Sequence, residues 1–386
     1  MTETTSETSP SALRHTPLDA LHRRRGARMV PFAGYAMPVQ YPAGILTEHL
    51  HTREKAGLFD VSHMGQIVLR APSGKAEDAA LALETLVPAD IVSLAPGRQR
   101  YALFTDAAGG ILDDLMVSNQ GDHLFLVVNA ACKAADEAHL RAALGNRCTV
   151  EPLPDRALIA LQGPKAEAAL AALAPAVAAM KFMDSQPVTI LGEACLVSRS
   201  GYTGEDGYEI SVPAAKAEAL CEALLQNPDV APIGLGARDS LRLEAGLCLY
   251  GSDLDTHTTP IEAGLAWSIQ TSRRTGGPRA GGFPGADVIL RQLAEGTARR
   301  RVGLLPEGRA PVRAHTMLYA PAEGGAPVGA VTSGGFGPSL GAPVAMGYVT
   351  AECAAAGTLL SADVRGKRLP VRVAPMPFVP NRYKRS

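Results

Sequence analysis

The chain has 386 residues, 46% of them hydrophobic and 19% charged, with a formal net charge of −1. That is globular composition, long enough for two or three cores, and the near-neutral balance argues against nucleic acid as the main partner because phosphate neutralisation needs a basic face. Six cysteines (Cys132, Cys148, Cys195, Cys221, Cys248 and Cys353) show no C-x-x-C spacing, so they read as reduced core thiols rather than a disulfide framework or a zinc site.

The first dozen residues, polar and acidic before the first Arg, predict a disordered lead-in with neither an apolar signal core nor an Arg-rich presequence. No stretch reaches the ~20 apolar residues that span a membrane, and the expected location is cytoplasmic. TPLDALHRRRG predicts a short helix with Thr16 as N-cap, Pro17 at its first position and Gly26 just past its end. ILTEHLHTREKAGLFDV predicts a second helix ending near Gly57, HMGQIVLRA a strand and KAEDAALALETL a helix. RQRYALFT, ILDDLMVS and LFLVVNA are β-rich runs separated by DAAGG and NQGDH, which is turn chemistry, so they predict an antiparallel meander. ADEAHLRAAL, KAEAALAALAPAVAAM and ARDSLRLEAGL read as helices, with strands at ALIALQGP, VTILGEACLVSRS and YEISVP. The Gly-, Pro- and Arg-rich segment 272–285 predicts a mobile loop or linker. Short strand-like runs beyond it, punctuated by Gly and Pro, indicate a small all-β carboxy-terminal domain. The whole is an α+β chain.

Several motifs fail. GGFGPSLG is not the G-x-G-x-x-G that opens a helix after a strand, and neither a P-loop nor G-x-S-x-G occurs. Asp253, Asp255, His257 and Glu262 in SDLDTHTTPIE lack the spacing of a metal loop and read as turn residues satisfying backbone groups, so no metal is expected. In FDVSHMG, Asp60 and His63 fit a hydrogen-bonded turn, with a general-base role for His63 as the alternative.

The doublet in ILDDLMVS is more informative. On a strand, Asp113 lies with Ile111, Leu115 and Val117, and Asp114 with Leu112 and Met116. The two acids therefore face opposite ways and do not form a shared-proton dyad. One can enter a cleft, or both can be solvated at a strand end. Glu209, on the strand after the turn of GYTGEDGYEIS, could accept two parallel N–H bonds from an aminopyrimidine edge, or lie on an exposed face. Arg238 could fork onto a carboxylate or ring carbonyl, or pair on the helix surface with Asp239 or with Glu244, the partner of the neighbouring Arg242.

FDVSHM, FTDAAGGILDDL, ALQGP, GYTGEDGYEISVP, ARDSLRLEAGLCLYG, HTTPIEAGL, AMGYV and MPFVPNRY together resemble the glycine cleavage T-protein family of aminomethyltransferases, from about Thr16 to Tyr383. The resemblance implies a three-domain cloverleaf around a central folate channel. The implied divisions are 13–52 plus 148–271 as a first folate-binding α+β domain, 53–147 as a second containing the meander, and 286–386 as the β domain. It implies tetrahydrofolate as co-substrate, no metal, and the lipoylated H-protein of the glycine cleavage system as partner, with neither nucleic acid nor membrane. The implied reaction moves a one-carbon unit from the aminomethylated dihydrolipoyl arm to tetrahydrofolate, releasing ammonia and giving 5,10-methylenetetrahydrofolate. Asp114 matches the family's catalytic aspartate, placed where positive charge develops as the carbon–sulfur bond breaks. Glu209 and Arg238 match pterin-binding residues and Tyr383 a substrate-site tyrosine. Tyr202 and Trp267 match aromatic pocket residues more loosely. TSRRTGGPRAGGF departs from the family pattern, so an H-protein contact there could differ. The competing readings are a folate-dependent demethylase of a small methylated substrate and a non-enzymatic folate-binding assembly factor.

Overall fold

A computed structural model describes residues 12–320 and 325–385; the expected lead-in lies almost wholly outside the described residues. Three β assemblies organise the chain. The first is a six-stranded sheet ordered Ser185–Ile190, Glu193–Ser198, Gly207–Pro213, Arg156–Gln162, Ala56–Asp60 and Val230–Pro232, antiparallel except at its last pair. The second has five antiparallel strands in the order Arg98–Thr105, Ile111–Asn119, Leu124–Val128, Gly65–Arg70 and Thr149–Pro152. The third is a closed six-stranded barrel between Arg299 and Ala374, filled by Val302, Leu304, Val331, Val371 and Val373. A small three-stranded sheet near the amino terminus completes the β structure of the described residues.

The meander forms as its turn chemistry predicts. Differences elsewhere have physical causes. The second helix stops at Glu54, because Ala56–Asp60 is drawn into the six-stranded sheet between Arg156–Gln162 and Val230–Pro232. Thr149–Pro152 pairs instead with Gly65–Arg70. The sheets thus part at 61–64 and 153–155 rather than at 53 and 148. Thr16 does not cap the first helix, which spans Asp19–Arg24; its hydroxyl donates to Asp60 at 2.6 Å. The segment 272–285 is tied down. Arg273 and Arg279 pair with buried Glu84 at 3.3 and 3.0 Å, and Arg279 reaches Asp90 at 2.5 Å.

The turn before the aspartate strand depends on a close approach. A Cβ on Gly110 would sit 1.9 Å from the carbonyl oxygen of Thr256. The same contact lets the Ile111 N–H reach the carbonyls of Asp255 and Thr258, both at 3.1 Å. The strand that carries both acids is thereby moored at its first residue.

Glu244 joins the sheets to the barrel. It is fully buried at the end of helix Leu235–Glu244, where its carboxylate accepts from Arg53 at 3.0 Å, His49 at 3.1 Å and the Ser339 N–H at 2.8 Å. Its carbonyl accepts from the N–H groups of Phe378 and Val379. Burial pushes the carboxyl up, but the bonds from His49 and Ser339 and the charges of His49 and Arg53 outweigh it and hold it down at about 2. Glu244→Gln leaves Arg53 short of a buried anion and should cost about 3–5 kcal/mol in urea unfolding at neutral pH. Because the folded-state value is depressed, this contribution is present above the unfolded carboxyl value of 4.5 and disappears as pH falls through about 2. The stability gap between wild type and variant should close over that window.

Candidate active site

Sheet register builds the centre of the site. Along Ile111–Asn119, Ile111, Asp113, Leu115 and Val117 are buried while Leu112, Asp114 and Met116 are half-buried, as a two-residue pleat dictates. Leu103 lies opposite Asp114, and Tyr101, two residues away on the same face, donates its hydroxyl to Asp114 Oδ2 at 3.0 Å. On the other side Met116 pairs with Val127, so the same register carried two residues on brings Asn129 opposite Asp114. The Asn129 Nδ2 donates to Asp114 Oδ1 at 2.7 Å and to Asp113 Oδ1 at 2.9 Å, and its backbone N–H donates to Asp113 Oδ2 at 3.0 Å. The acids point apart, yet one amide links them.

Neither aspartate has an ion-pair partner among the described residues. Burial pushes the Asp114 carboxyl up to about 7, the charge of Asp113 adds to the shift, and the bonds from Tyr101 and Asn129 partly offset it. Asp114 therefore changes charge near neutrality.

A second group converges from the six-stranded sheet. Glu209 lies between Ala160 and Ser198 in register, with Tyr208 and Ile210 turned into the core, and among the described residues its carboxylate has one hydrogen-bond partner, the Ser200 hydroxyl at 3.2 Å. Burial raises its carboxyl, against the lowering charge of Arg238 and the bond from Ser200. Arg238 stands in helix Leu235–Glu244, its guanidinium 4.7 Å from the centroid of the Tyr202 ring. It forms no salt bridge among the described residues, and its Nη1 is buried without a partner. Arg242 pairs with Asp239 and Asp253, and Glu244 pairs with Arg53 and His49, so the expected Arg242–Glu244 pairing does not occur. Tyr202 connects the two groups: its ring carries Arg238, its hydroxyl donates to the Cys248 carbonyl, and the charge of Asp114 helps raise it. Its loop is tight, because a Cβ on Gly201 would lie 1.8 Å from the Gln162 side-chain oxygen.

The structure thus brings together Asp114, Tyr202, Glu209 and Arg238. Trp267, 61% exposed, stacks on Tyr101 at 5.3 Å and stands at the open side of the same group. Tyr383 lies in another cluster, stacked on Phe182 at 4.1 Å and neighboured by Arg385, Arg53 and Glu205. Tyr101 and Asn129 were not singled out in the sequence. A polar residue closing the apolar run LFLVVNA was the available signal for Asn129. His63 is buried with an Nδ1 unpartnered among the described residues, and burial, against the raising charge of Asp60 and with the charges of Arg238 and Lys133, lowers it to about 4, which makes it a weak base, far from the near-neutral value that suits a general base. Asp253 is bound by Arg242, Thr332 and Ser333, Asp255 by Thr258 and Glu262 by Arg299; among the described residues no His, Cys, Asp and Glu side chains are grouped to hold a metal ion.

Chemically, the site offers an ionisable carboxylate at one end and, at the other, a carboxylate and a guanidinium that feel each other's charge without forming a salt bridge among the described residues, both with unused hydrogen-bonding capacity. An unpaired buried guanidinium nitrogen is costly and calls for a ligand acceptor. Residues 18–273 match the family model described as the GCVT N-terminal domain, and residues 299–380 match the glycine cleavage T-protein C-terminal barrel domain. The chain is 49% identical to the mitochondrial aminomethyltransferase of Gallus gallus, covering 97% of this chain and 95% of that one. It is 47% identical to the mitochondrial aminomethyltransferase of Homo sapiens, covering 96% and 91%. The crystal structure of the glycine cleavage system aminomethyltransferase T from Bartonella henselae superposes with a TM-score of 0.89 at 43% identity, covering 97% of this chain and all of that one.

Removing the hydroxyl in Tyr101→Phe takes away a bond that favours ionised Asp114. The Asp114 titration, followed by infrared or carbon NMR of labelled aspartate, should move up from about 7 by about half to one unit, the worth of one hydrogen bond. An unmoved titration would remove Tyr101 from the site.

Proposed function

From the premise that the chain belongs to the glycine cleavage T-protein family and is an aminomethyltransferase, we propose that Asp114 is its catalytic carboxylate and that Glu209 and Arg238 hold the pterin of tetrahydrofolate. The relatives it matches are aminomethyltransferases, which disfavours the demethylase reading. The observation that carries the proposal is that a cation-free Asp114 and an Arg238 with a buried, unpartnered nitrogen both act on Tyr202, with the sparsely bonded Glu209 in the field of Arg238.

These residues fit the folate. Among the described residues the Glu209 carboxylate bonds Ser200 alone, so it can accept two N–H bonds from the pyrimidine edge, and the Arg238 Nη1, unpartnered there, can donate to a ring carbonyl or to the glutamate tail. The bound folate supplies the nitrogen nucleophile. Asp114 places negative charge where positive charge develops on the one-carbon unit as its bond to sulfur breaks. The Asn129 amide and the Tyr101 hydroxyl fix the orientation of that carboxylate before the substrates arrive, so little reorganisation remains for the reaction itself. Trp267 and Tyr202 offer flat apolar faces for the pterin or the incoming arm. Tyr383, though stacked on Phe182, is on this reading a residue of the substrate site.

The donor on this reading is the aminomethylated lipoyl arm of H-protein, and the product is 5,10-methylenetetrahydrofolate with release of ammonia. The relatives carry mitochondrial in their names, which does not favour the cytoplasmic expectation. Among the described residues no helix is long and apolar enough to cross a membrane.

Methylenetetrahydrofolate formation from aminomethylated H-protein and tetrahydrofolate tests the whole reading; turnover of a small methylated donor in its place would overturn it. Asp114→Asn should lower kcat by at least ~10²-fold with folate affinity kept, because the lost interaction belongs to the transition state. Wild-type kcat should fall as pH drops through about 7, where Asp114 takes up its proton. Glu209→Gln should instead weaken folate binding in calorimetry by about 1.5–3 kcal/mol, the worth of a hydrogen bond to a charged group.

A further inference from the structure

We propose that Arg274, in the segment whose composition is that of a linker, is a positioning residue for this reaction. Its guanidinium holds the turn that lays Trp267 over Tyr101 beside Asp114, a role that rests on the reading of Asp114 given above.

Trp267 sits in a single turn of 3-10 helix, Ala266–Ser268, with most of its side chain exposed. So exposed a ring has little packing to fix it, and its place over Tyr101, with the two planes 30° apart, depends on the backbone that carries it. A turn this short holds itself weakly. The Ser268 N–H reaches the Leu265 carbonyl at 2.9 Å and the Ile269 N–H reaches the Ala266 carbonyl at 3.2 Å. Arg274 supplies the rest. Its Nε donates to the Ile269 carbonyl at 2.7 Å and its Nη2 to the Ala266 carbonyl at 2.9 Å, so one planar fork grips the backbone on both sides of Trp267.

The base of that fork is itself fixed. The Gln270 side chain accepts from the Asp90 N–H at 2.7 Å, the Ser272 hydroxyl donates to the Asp90 carboxylate, and Arg273 donates to the Glu84 carbonyl at 2.7 Å. Ile269 is fully buried with Phe283 and Ile289. The neighbouring arginines divide the work. Arg273 and Arg279 pair with Glu84, whereas Arg274 forms no salt bridge among the described residues and donates to the two carbonyls beneath Trp267. The ring so held lies against Tyr101, whose hydroxyl donates to Asp114, and so it shapes the reactive end of the site rather than the end given to the pterin. Without Arg274 the turn loosens, the indole leaves Tyr101, and the donor that orients Asp114 loses the ring packed over it.

The chain has one tryptophan, so its intrinsic fluorescence reports Trp267 alone, whatever the enzyme does. Arg274→Met keeps the aliphatic stem and removes both donors; it should lower the fluorescence anisotropy and move the emission to longer wavelength. Arg274→Lys keeps a cation near the carbonyls and should recover part of the wild-type signal. In Arg274→Met, kcat/KM for aminomethylated H-protein should fall about tenfold, with the Kd of tetrahydrofolate in calorimetry kept within about twofold. A double-mutant cycle separates positioning from a general loss of stability, because an effect carried by the indole vanishes with it. In the Trp267→Leu background, Arg274→Met should cost less than about twofold. If Arg274→Met does not fold, Arg274→Gln, which keeps one donor, serves in the same cycle. An unchanged anisotropy, or the same tenfold loss in the Trp267→Leu background, would overturn the proposal. Absence of methylenetetrahydrofolate from the wild type, alongside the fluorescence response, would instead sink the reaction assigned above and leave the hold on Trp267 in place.

Discussion

The Asn129 side chain donates to Asp113 and to Asp114 at once, and the orientation of both carboxylates depends on that amide. An amide has two hydrogens and both are spent on carboxylates, so its orientation is set by charge rather than by packing. Tyr101 completes the hold on Asp114 from the neighbouring strand, and Trp267 packs over Tyr101. The Asp114 carboxylate is thus held by neutral donors, which keeps its charge responsive near pH 7 where an arginine or lysine partner would have fixed it.

At the far end of the site the logic is reversed. Glu209 and Arg238 are opposite charges in a shared field, each with hydrogen-bonding positions unfilled, which suits recognition rather than chemistry. Helix Leu235–Glu244 ties this recognition end to the frame, since Arg238 near its start faces Tyr202 and Glu244 at its end anchors Arg53, His49 and the barrel. The loop carrying Tyr202 is held by the same Arg53, which donates to the Thr203 carbonyl and to Glu205. A displacement of the barrel would be felt at Arg238 and Tyr202 before it reached Asp114.

Local chemistry made much of this readable from the sequence. The alternation in ILDDLMVS assigned opposite faces to Asp113 and Asp114, and the turns flanking it marked the meander. What escaped depends on contacts far apart in the chain. The helix ending at Glu54 yields to a strand because two distant strands receive Ala56–Asp60. Segment 272–285 has the composition of a linker, yet Glu84 and Asp90, nearly two hundred residues earlier, hold its arginines. Asn129 became visible only once sheet register set it opposite Asp114. The separation of the acids by the pleat was legible, whereas their electrostatic link through one amide was not.

The adjacent acids look like a spare and its original, but the pleat denies any redundancy. A lineage that lost Asp114 could not recruit Asp113, whose side chain is turned to the buried face and already committed to Asn129. Sliding the strand by one residue would exchange the two acids and also turn Ile111, Leu115 and Val117 out of the core. Neighbours in the gene are therefore strangers in inheritance. A descendant chain with a single surviving acid at the second position could keep the chemistry, and one with a single acid at the first could keep only the scaffold.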